Sequence, residues 1–197
     1  MSIMKKRLLA AAVFSAALFL INGCILNPET EKPPPPEPID WPDLTEKEDV
    51  IETITLCYEN YNTATPNDLE VHYRAILYDE PGKQYVFYLQ EGDYVPGEDN
   101  FLNFEQDVEG SLNIWKYSSD LVLELSDSQW DEYTGDEDCD NCFTTTRTYT
   151  ISTSIDVGGE VRDLSGANMI VVFIVRPQHD DPTKWAISID YDINPQI

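Results

Sequence analysis

The fold is decided by residues 143–157, FTTTRTYTISTSIDV, where one set of alternate positions is mostly apolar or large and the other is polar throughout. The first set consists of Phe143, Thr145, Arg147, Tyr149, Ile151, Thr153, Ile155 and Val157. Successive side chains of a β-strand point to opposite faces of the sheet. The alternation therefore predicts a long strand with one face on a core and the other in water, in a well-specified register.

Neighbouring stretches predict the rest of the sheet. Residues 184–193 alternate in the same way, and this pattern places one set of side chains inward: Trp185, Ile187, Ile189, Tyr191 and Ile193. The opposite set is then expected to face outward: Lys184, Ala186, Ser188, Asp190 and Asp192. Residues 169–175 are apolar on both faces, as in a central strand, and residues 84–90 and 120–125 are shorter strand-like runs.

Three helices are predicted before most of these strands. The first covers about residues 45–61, with a capping box at Thr45–Glu48 and an apolar stripe of Val50, Ile51, Ile54, Cys57, Tyr58 and Tyr61. The second follows Pro66 and ends before Pro81, and the third covers residues 104–115. The expected class is α+β, with about three N-terminal helices packed on a curved, mostly antiparallel sheet.

The N-terminus predicts export and a lipid anchor. Three basic residues at 5–7 precede an apolar run at 8–21, which is too short to span a bilayer. The junction Asn22-Gly23-Cys24 resembles the lipobox of bacterial lipoproteins, which implies a signal peptide at 1–23 and a lipid, such as palmitate, on Cys24. An ordinary signal peptide and an uncleaved anchor are the alternatives. In the proteins that this junction resembles, Ile25 rather than Asp after the cysteine favours the outer membrane of the cell envelope.

Residues 24–42 are rich in proline and predict a tether between the anchor and one domain at 43–197. Proline at this density favours extended polyproline II, a semi-rigid spacer. A docking site for a proline-recognising partner is the alternative interpretation.

Charge excludes several classes of partner. The formal net charge is −25, which disfavours nucleic acid and electrostatic adhesion to anionic lipid. Hydrophobic residues make up 42% of the chain, so this acidity is that of a folded domain's surface rather than of a disordered chain.

Four segments resemble the nuclear transport factor 2-like superfamily of cone-shaped folds, and in particular bacterial lipoproteins of that type. They are Asp43-Leu44-Thr45, Leu77-Tyr78-Asp79-Glu80, Tyr85-Val86-Phe87-Tyr88 and Lys184-Trp185-Ala186-Ile187. The superfamily includes isomerases, cyclases, dehydratases and binding modules, so the resemblance implies a fold without fixing a function. It also implies that a homodimer through the outer sheet face is one expected assembly.

The motif Cys139-Asp140-Asn141-Cys142 leaves a disulfide, a zinc site and a redox pair open. An oxidising compartment and the shortage of further metal ligands favour the disulfide, with no metal expected. Cys57 is expected to be a small buried core residue. The alternate acids Asp136, Asp138 and Asp140 are a weak calcium candidate, since Asn141 stands where a calcium loop needs glycine.

The candidate ligand pocket consists of Tyr58, Arg147, Tyr149, Trp185 and Tyr191. Arg147 either binds an anionic ligand or pairs with a Glu or Asp. His72 is the one weak catalytic candidate, and His179 is expected at the surface.

The predicted pocket indicates a class of function but not a particular ligand. Because Asp156, Asp190 and Asp192 are expected to point outward, the inward face lacks a paired acid, and catalysis is less favoured than ligand binding or protein interaction. No cofactor is expected. The partners implied are the membrane, through the lipid, and a small ligand or an envelope protein. The alternative is a small-molecule isomerase or dehydratase-like enzyme that uses the cone pocket.

Overall fold

Three helices and a seven-stranded mixed sheet make up the part of the chain that the computed structural model describes, residues 37–90, 99–135, 139, 141–157 and 159–193. The helices are α1 (Lys47–Glu59), α2 (Pro66–Ala75) and α3 (Phe104–Tyr117). The strands are β1 (Val86–Tyr88), β2 (Phe101–Asn103), β3 (Ser118–Leu125), β4 (Asp131–Glu132), β5 (Phe143–Val157), β6 (Glu160–Pro177) and β7 (Trp185–Ile193). The predicted signal peptide, Cys24, most of the tether and Asp136, Asp138 and Asp140 lie outside the described residues.

The sheet has the strand order β2-β1-β7-β6-β5-β3, with β4 paired to β5. Its neighbours are antiparallel except for β1 and β7, which run parallel. The long β5–β6 hairpin and the central position of β7 give the sheet its framework. The α+β class and the mostly antiparallel sheet agree with the sequence-based prediction.

At the start of each helix a side chain accepts a hydrogen bond from a free backbone amide. In α1 the cap differs from the predicted one: Asp49 accepts a hydrogen bond from the Glu46 amide at 2.9 Å, while the Thr45 hydroxyl donates to Asp43. In α2, Thr65 accepts from the Asp68 amide at 3.1 Å. Asn103 and Gln106 form a reciprocal pair at the start of α3, at 3.0 Å each way.

The main core lies between the helices and one face of the sheet, here called the inner face. Its fully buried members come from both layers and include Val50, Ile76, Val108, Val175 and Ile187. Cys57 is also completely buried, as expected, and burial raises the pKa of its thiol to about 12. A thiol of this kind is an unreactive packing residue.

The alternation predicted for β5 is confirmed. Thr145 and Arg147 are buried on the inner face, whereas Thr146 and Thr148 are exposed. This is the behaviour expected of a strand with one dry and one wet face.

The alternation predicted for β7 is wrong beyond Ser188, because the strand contains a bulge there. Ile187 pairs with Val175 and Ile189 with Ile174, so Ser188 is an extra residue without a partner across the ladder. A bulge reverses the faces of all residues that follow it. Asp190 and Asp192, opposite Phe173 and Val171, therefore turn to the inner face rather than outward.

The opposite, outer face of the sheet carries a smaller cluster. Cys139 and Cys142 form the predicted disulfide and pack against Ile174, with Ile189 and Tyr191 at its border. The bulge explains why these two β7 residues, predicted to face inward, lie here instead.

No helix among the described residues is both long enough and apolar enough to cross a membrane.

Candidate functional site

A cavity of about 300 Å³ lies between the three helices and the inner face of the sheet. Most of its wall is apolar, contributed by Ile54, Phe87, Leu102, Ile114, Val171 and Phe173. This volume is at the lower end of the range for small-molecule sites. We call it the carboxyl cavity, because three aspartates also line it: Asp107, Asp190 and Asp192.

Tyrosine hydroxyls hold two of these carboxyl groups. Tyr73 on α2 donates a hydrogen bond to Oδ2 of Asp107 on α3 at 2.8 Å. Tyr149 on β5 donates to Oδ2 of Asp192 on β7 at 3.1 Å. Both tyrosines line the cavity, so its polar groups are fixed by bonds between different elements rather than by one loop. Such preorganisation favours a binding or catalytic role.

Asp190 is the third acid that lines the cavity. Its residue is 9% exposed, and its Oδ1 is buried without a hydrogen-bond partner among the described residues. Burial first, and then the charges of Asp107 and Asp192, raise the pKa of Asp190 well above its ordinary value. This rise favours the protonated form of the carboxyl group, which can donate a hydrogen bond into an apolar site.

The pKa of Asp107 is set by a different combination of burial and hydrogen bonds. Burial raises its pKa to about 6, and the hydrogen bonds from Tyr73 and Tyr85 oppose that rise. At neutral pH Asp107 is thus mainly ionised, whereas the pKa shift of Asp190 favours its protonated form. Two acids held in different environments of one cavity are the arrangement that acid–base chemistry uses.

Only two of the five predicted pocket residues, Tyr58 and Tyr149, line the carboxyl cavity. Tyr191 lies on the outer face, where it stacks on Tyr88 with ring centroids 5.0 Å apart. Trp185 lies at the start of β7, paired with Pro177, and its ring packs edge-on against Phe143 at 5.6 Å. Tyr191 does not line the cavity because the bulge turns it to the outer face. Trp185 does not line it because it lies at the far end of β7.

Arg147 is used in an ion pair and does not line the cavity. Its side chain is 2% exposed, and Nη2 lies 2.7 and 2.9 Å from the two carboxylate oxygens of Glu48 on α1. Nη1 donates to the carbonyl oxygen of Ser126 at 3.1 Å. Of the two interpretations left open by the sequence, pairing with an acid is the one that the structure supports.

Neither histidine lines the carboxyl cavity. His72 stacks on Trp41 with ring centroids 4.1 Å apart, and burial lowers its pKa. His179 is about half exposed, with Nδ1 3.5 Å from Glu80. His72 is therefore packed against Trp41, at the end of the predicted tether, and does not reach the carboxyl cavity.

The residues that sequence reasoning missed are Asp107, Asp190, Asp192 and Tyr73. Asp107 had a signal: it lies on the buried stripe of α3 with Phe104, Val108, Ser111 and Trp115. Burying a lone acid on an apolar helix face costs free energy, so such an acid is expected only where it is functional or well hydrogen-bonded. Asp190 and Asp192 had no such sequence signal, because simple alternation along β7 places their side chains on the outer face of the sheet.

Within the described residues, no three His, Cys, Asp or Glu side chains are close enough together to hold a metal ion.

Comparisons with known proteins identify the fold. No protein-family model matches the sequence, and a search of curated proteins found no match. Among solved structures, a candidate aromatic ring hydroxylase from Novosphingobium aromaticivorans superposes with a TM-score of 0.51 at 13% identity, covering 76% of this chain and 87% of that one. A nuclear transport factor 2-like superfamily protein from Salmonella enterica gives 0.48 at 13% identity over 76% and 91%. A candidate dehydratase of the same family from Streptomyces avermitilis gives 0.44 at 16% identity over 76% and 96%. The likeness is one of architecture: the superposition on the Novosphingobium aromaticivorans structure shows that the described domain shares the fold of that protein.

Proposed function

We propose that the domain binds a small, uncharged and largely apolar molecule in the carboxyl cavity, with Asp190 donating a hydrogen bond to an acceptor oxygen of that molecule. The observation that carries this proposal is the buried carboxyl group of Asp190, which lines a largely apolar cavity and whose pKa is raised by burial. An anionic ligand is disfavoured because Asp107 and Asp192 line the same space.

An aromatic ketone tests this proposal, since it supplies an apolar ring and one acceptor oxygen. Acetophenone labelled with ¹³C at its carbonyl should bind saturably, and hydrogen bonding should move its carbonyl signal downfield. Asp190→Asn retains a donor and should bind similarly, whereas Asp190→Val should weaken binding about tenfold. The exposed Asp180→Asn is the matched control. Equal affinity in wild type and Asp190→Val would refute the role of Asp190.

Proton transfer is a second candidate function, favoured by two acids in one cavity with raised pKa values, Asp107 to about 6 and Asp190 well above its ordinary value. An acid that donates to a carbonyl oxygen lowers the barrier to removing a proton from the adjacent carbon. In D₂O the protein should then exchange the methyl hydrogens of acetophenone for deuterium faster than buffer alone. Asp107→Asn should abolish that exchange while acetophenone still binds. Binding without exchange would leave the domain as a binding module.

We also propose that the domain is held at the bacterial cell envelope, in the outer membrane, by lipid on Cys24. The support is the basic start, the apolar run at 8–21 and the Gly23-Cys24 junction. A permanent anchor needs two or more acyl chains, because each buried methylene contributes only about 0.8 kcal/mol. Cys24→Ser should release the protein from the membrane fraction or leave it unprocessed, while Cys57→Ser should change neither. Unchanged processing and membrane association of Cys24→Ser would contradict the anchor.

A further inference from the structure

The hairpin of β5 and β6 extends beyond the neighbouring strand β7 and leaves one edge of β6 unpaired. From Ile170 onward β6 pairs with β7, whereas residues 160–166 pair only with β5 among the described residues. We call the open side of residues 160–166 the free edge. Its side chains are accessible: the exposed fraction is 71% for Glu160, 61% for Arg162 and 66% for Val161. The free edge is therefore open to a partner.

The direction of the backbone groups on the free edge follows from the register of the hairpin. Val157 and Glu160 are its last pair, and only two residues separate them. A closing pair of this kind exchanges both backbone hydrogen bonds, and bonded and non-bonded pairs alternate from there. Val161, opposite Asp156, therefore directs its N–H and C=O groups away from β5, and so does Asp163. Backbone groups that point outward in this way form a template for another strand.

The charges on the free edge determine how a second copy of the chain can pair with it. In an antiparallel pair of identical strands related by a two-fold axis, one residue lies opposite itself. Centring the pair on Glu160, Arg162 or Asp163 sets two like charges directly opposite each other, which is destabilising. Centring it on Val161 sets the two copies of Val161 opposite each other and each Glu160 opposite Arg162 of the other copy. We call this arrangement the Val161 register.

Opposite charges distinguish the Val161 register from a register centred on Leu164. The Leu164 register would set Arg162 opposite Gly166, so this cation would have no counter-charge across the contact. Within one chain Arg162 Nη2 already lies 3.1 Å from Glu160 Oε2, so the two side chains share a face. In the Val161 register a second copy places its own pair against this one, with each charge facing an opposite charge.

We propose that the free edge joins two copies of this chain, hairpin tip to hairpin tip, in the Val161 register. The contact covers residues 159–163 of each copy, and a contact this short gives a weak dimer. The net charge of −25 does not prevent it, because the two domains extend away from the tips and charges beyond about 8 Å are screened at physiological salt. The proposal goes beyond the function proposed above, since none of these residues lines the carboxyl cavity.

Cysteine crosslinking of the full chain, purified in detergent, tests the register. In a hydrogen-bonded antiparallel pair the two Cα atoms are about 5.5 Å apart, which a disulfide can span. Val161→Cys should therefore form a covalent dimer on mild oxidation. Leu164→Cys, at a position that is 52% exposed, is the matched control, because its two copies would be about 20 Å apart in this register. Crosslinking of Leu164→Cys as strong as that of Val161→Cys, or none above wild type for Val161→Cys, would overturn the proposal.

Charge reversal separates pairing between two copies from the ion pair within one chain. Added to Val161→Cys, either Glu160→Arg or Arg162→Glu sets like charges across the contact and should lower the initial crosslinking rate about tenfold. Mixing these two variants, one of them enlarged by a tag, should restore a crosslinked dimer of intermediate size. The added positive charge of one copy then lies opposite the added negative charge of the other, while the ion pair within each chain stays broken.

Asp180→Arg is the control for overall charge, because it reverses an exposed acid outside the free edge. Added to Val161→Cys, it should leave the crosslinking rate unchanged. A rate lowered as much as by Glu160→Arg, or a mixture of the two reversed variants that fails to crosslink, would overturn the proposed pairing.

Discussion

At the scale of single residues, the domain contains acids at buried positions, where loss of solvation disfavours their ionised form. Asp107 and Asp190 are each 9% exposed and line an apolar cavity. Their raised pKa values mean that they take up protons on folding, because the unfolded chain ionises at lower pH. Their contribution to stability is fully present below about pH 4 and is lost as the pH rises through the folded pKa.

The stability of the protein should therefore fall as the pH rises from 5 to 8. For Asp107, a pKa moved from 3.8 to about 6 corresponds to a loss of about 3 kcal/mol in unfolding free energy once that acid has ionised. Asp190 acts in the same direction and over a wider range of pH. Asp190→Asn should flatten the profile measured by urea denaturation and should be more stable than wild type at pH 8. The exposed Asp180→Asn should keep the wild-type slope, and parallel profiles for wild type and Asp190→Asn would contradict the assignment.

Arg147 is a buried charge whose acidic partner, among the described residues, is Glu48. Glu48 accepts from Arg147 Nη2 at 2.7 Å and from the indole of Trp130 at 2.7 Å. Glu48→Gln should lower the unfolding free energy by about 1–3 kcal/mol, because Arg147 stays buried without a counter-charge. Glu52→Gln removes an exposed acid of the same helix and should cost less than about 0.5 kcal/mol. Similar urea midpoints for the two variants would show that the pair contributes nothing.

At the scale of elements, alternation predicts a strand well only while its ladder is regular. The 15 residues of β5 have the predicted bounds and the predicted buried face. In β7 the same reasoning fails after Ser188, since the bulge appears only when the strand is aligned with β6. Nothing in the sequence of β7 alone marks that position, because Ser188 fits an outward site as well as a bulge.

Deleting Ser188 should be far more damaging than mutating it. Without the extra residue, Asp190 and Asp192 would turn outward, and Ile189 and Tyr191 would turn into the carboxyl cavity. The deletion should abolish cooperative thermal unfolding, followed by circular dichroism. Ser188→Ala keeps the register and should cost about 1 kcal/mol. Deletion of Thr183, in the exposed turn before β7, is the length-matched control. A cooperative transition in the Ser188 deletion would show that the strand tolerates either register.

At the scale of the whole molecule, the candidate site exists only because distant segments meet. Its polar residues come from α1, α2, α3, β5 and β7, as Tyr58, Tyr73, Asp107, Tyr149 and Asp190 show. The sequence predicts the layers that bring these elements together, and with them Tyr58 and Tyr149. It does not predict the inward placement of Asp190 and Asp192, because that placement depends on a bulge, whereas Asp107 lies on an apolar stripe of α3 that the sequence already shows.

The net charge of −25 is a property of the whole chain, and it should make stability depend on salt. Like charges are closer together in the folded state, so their repulsion destabilises the compact form. Raising NaCl from about 0.01 M to about 0.15 M shortens the screening length from about 30 Å to about 8 Å. We expect the thermal midpoint to rise by a few degrees over this range and then to level off, as screening does. A rise that stays linear to high salt would indicate general salting-out instead. A fall would mean that salt weakens ion pairs such as that of Arg74 with Glu105, 2.8 Å apart, more than it relieves repulsion.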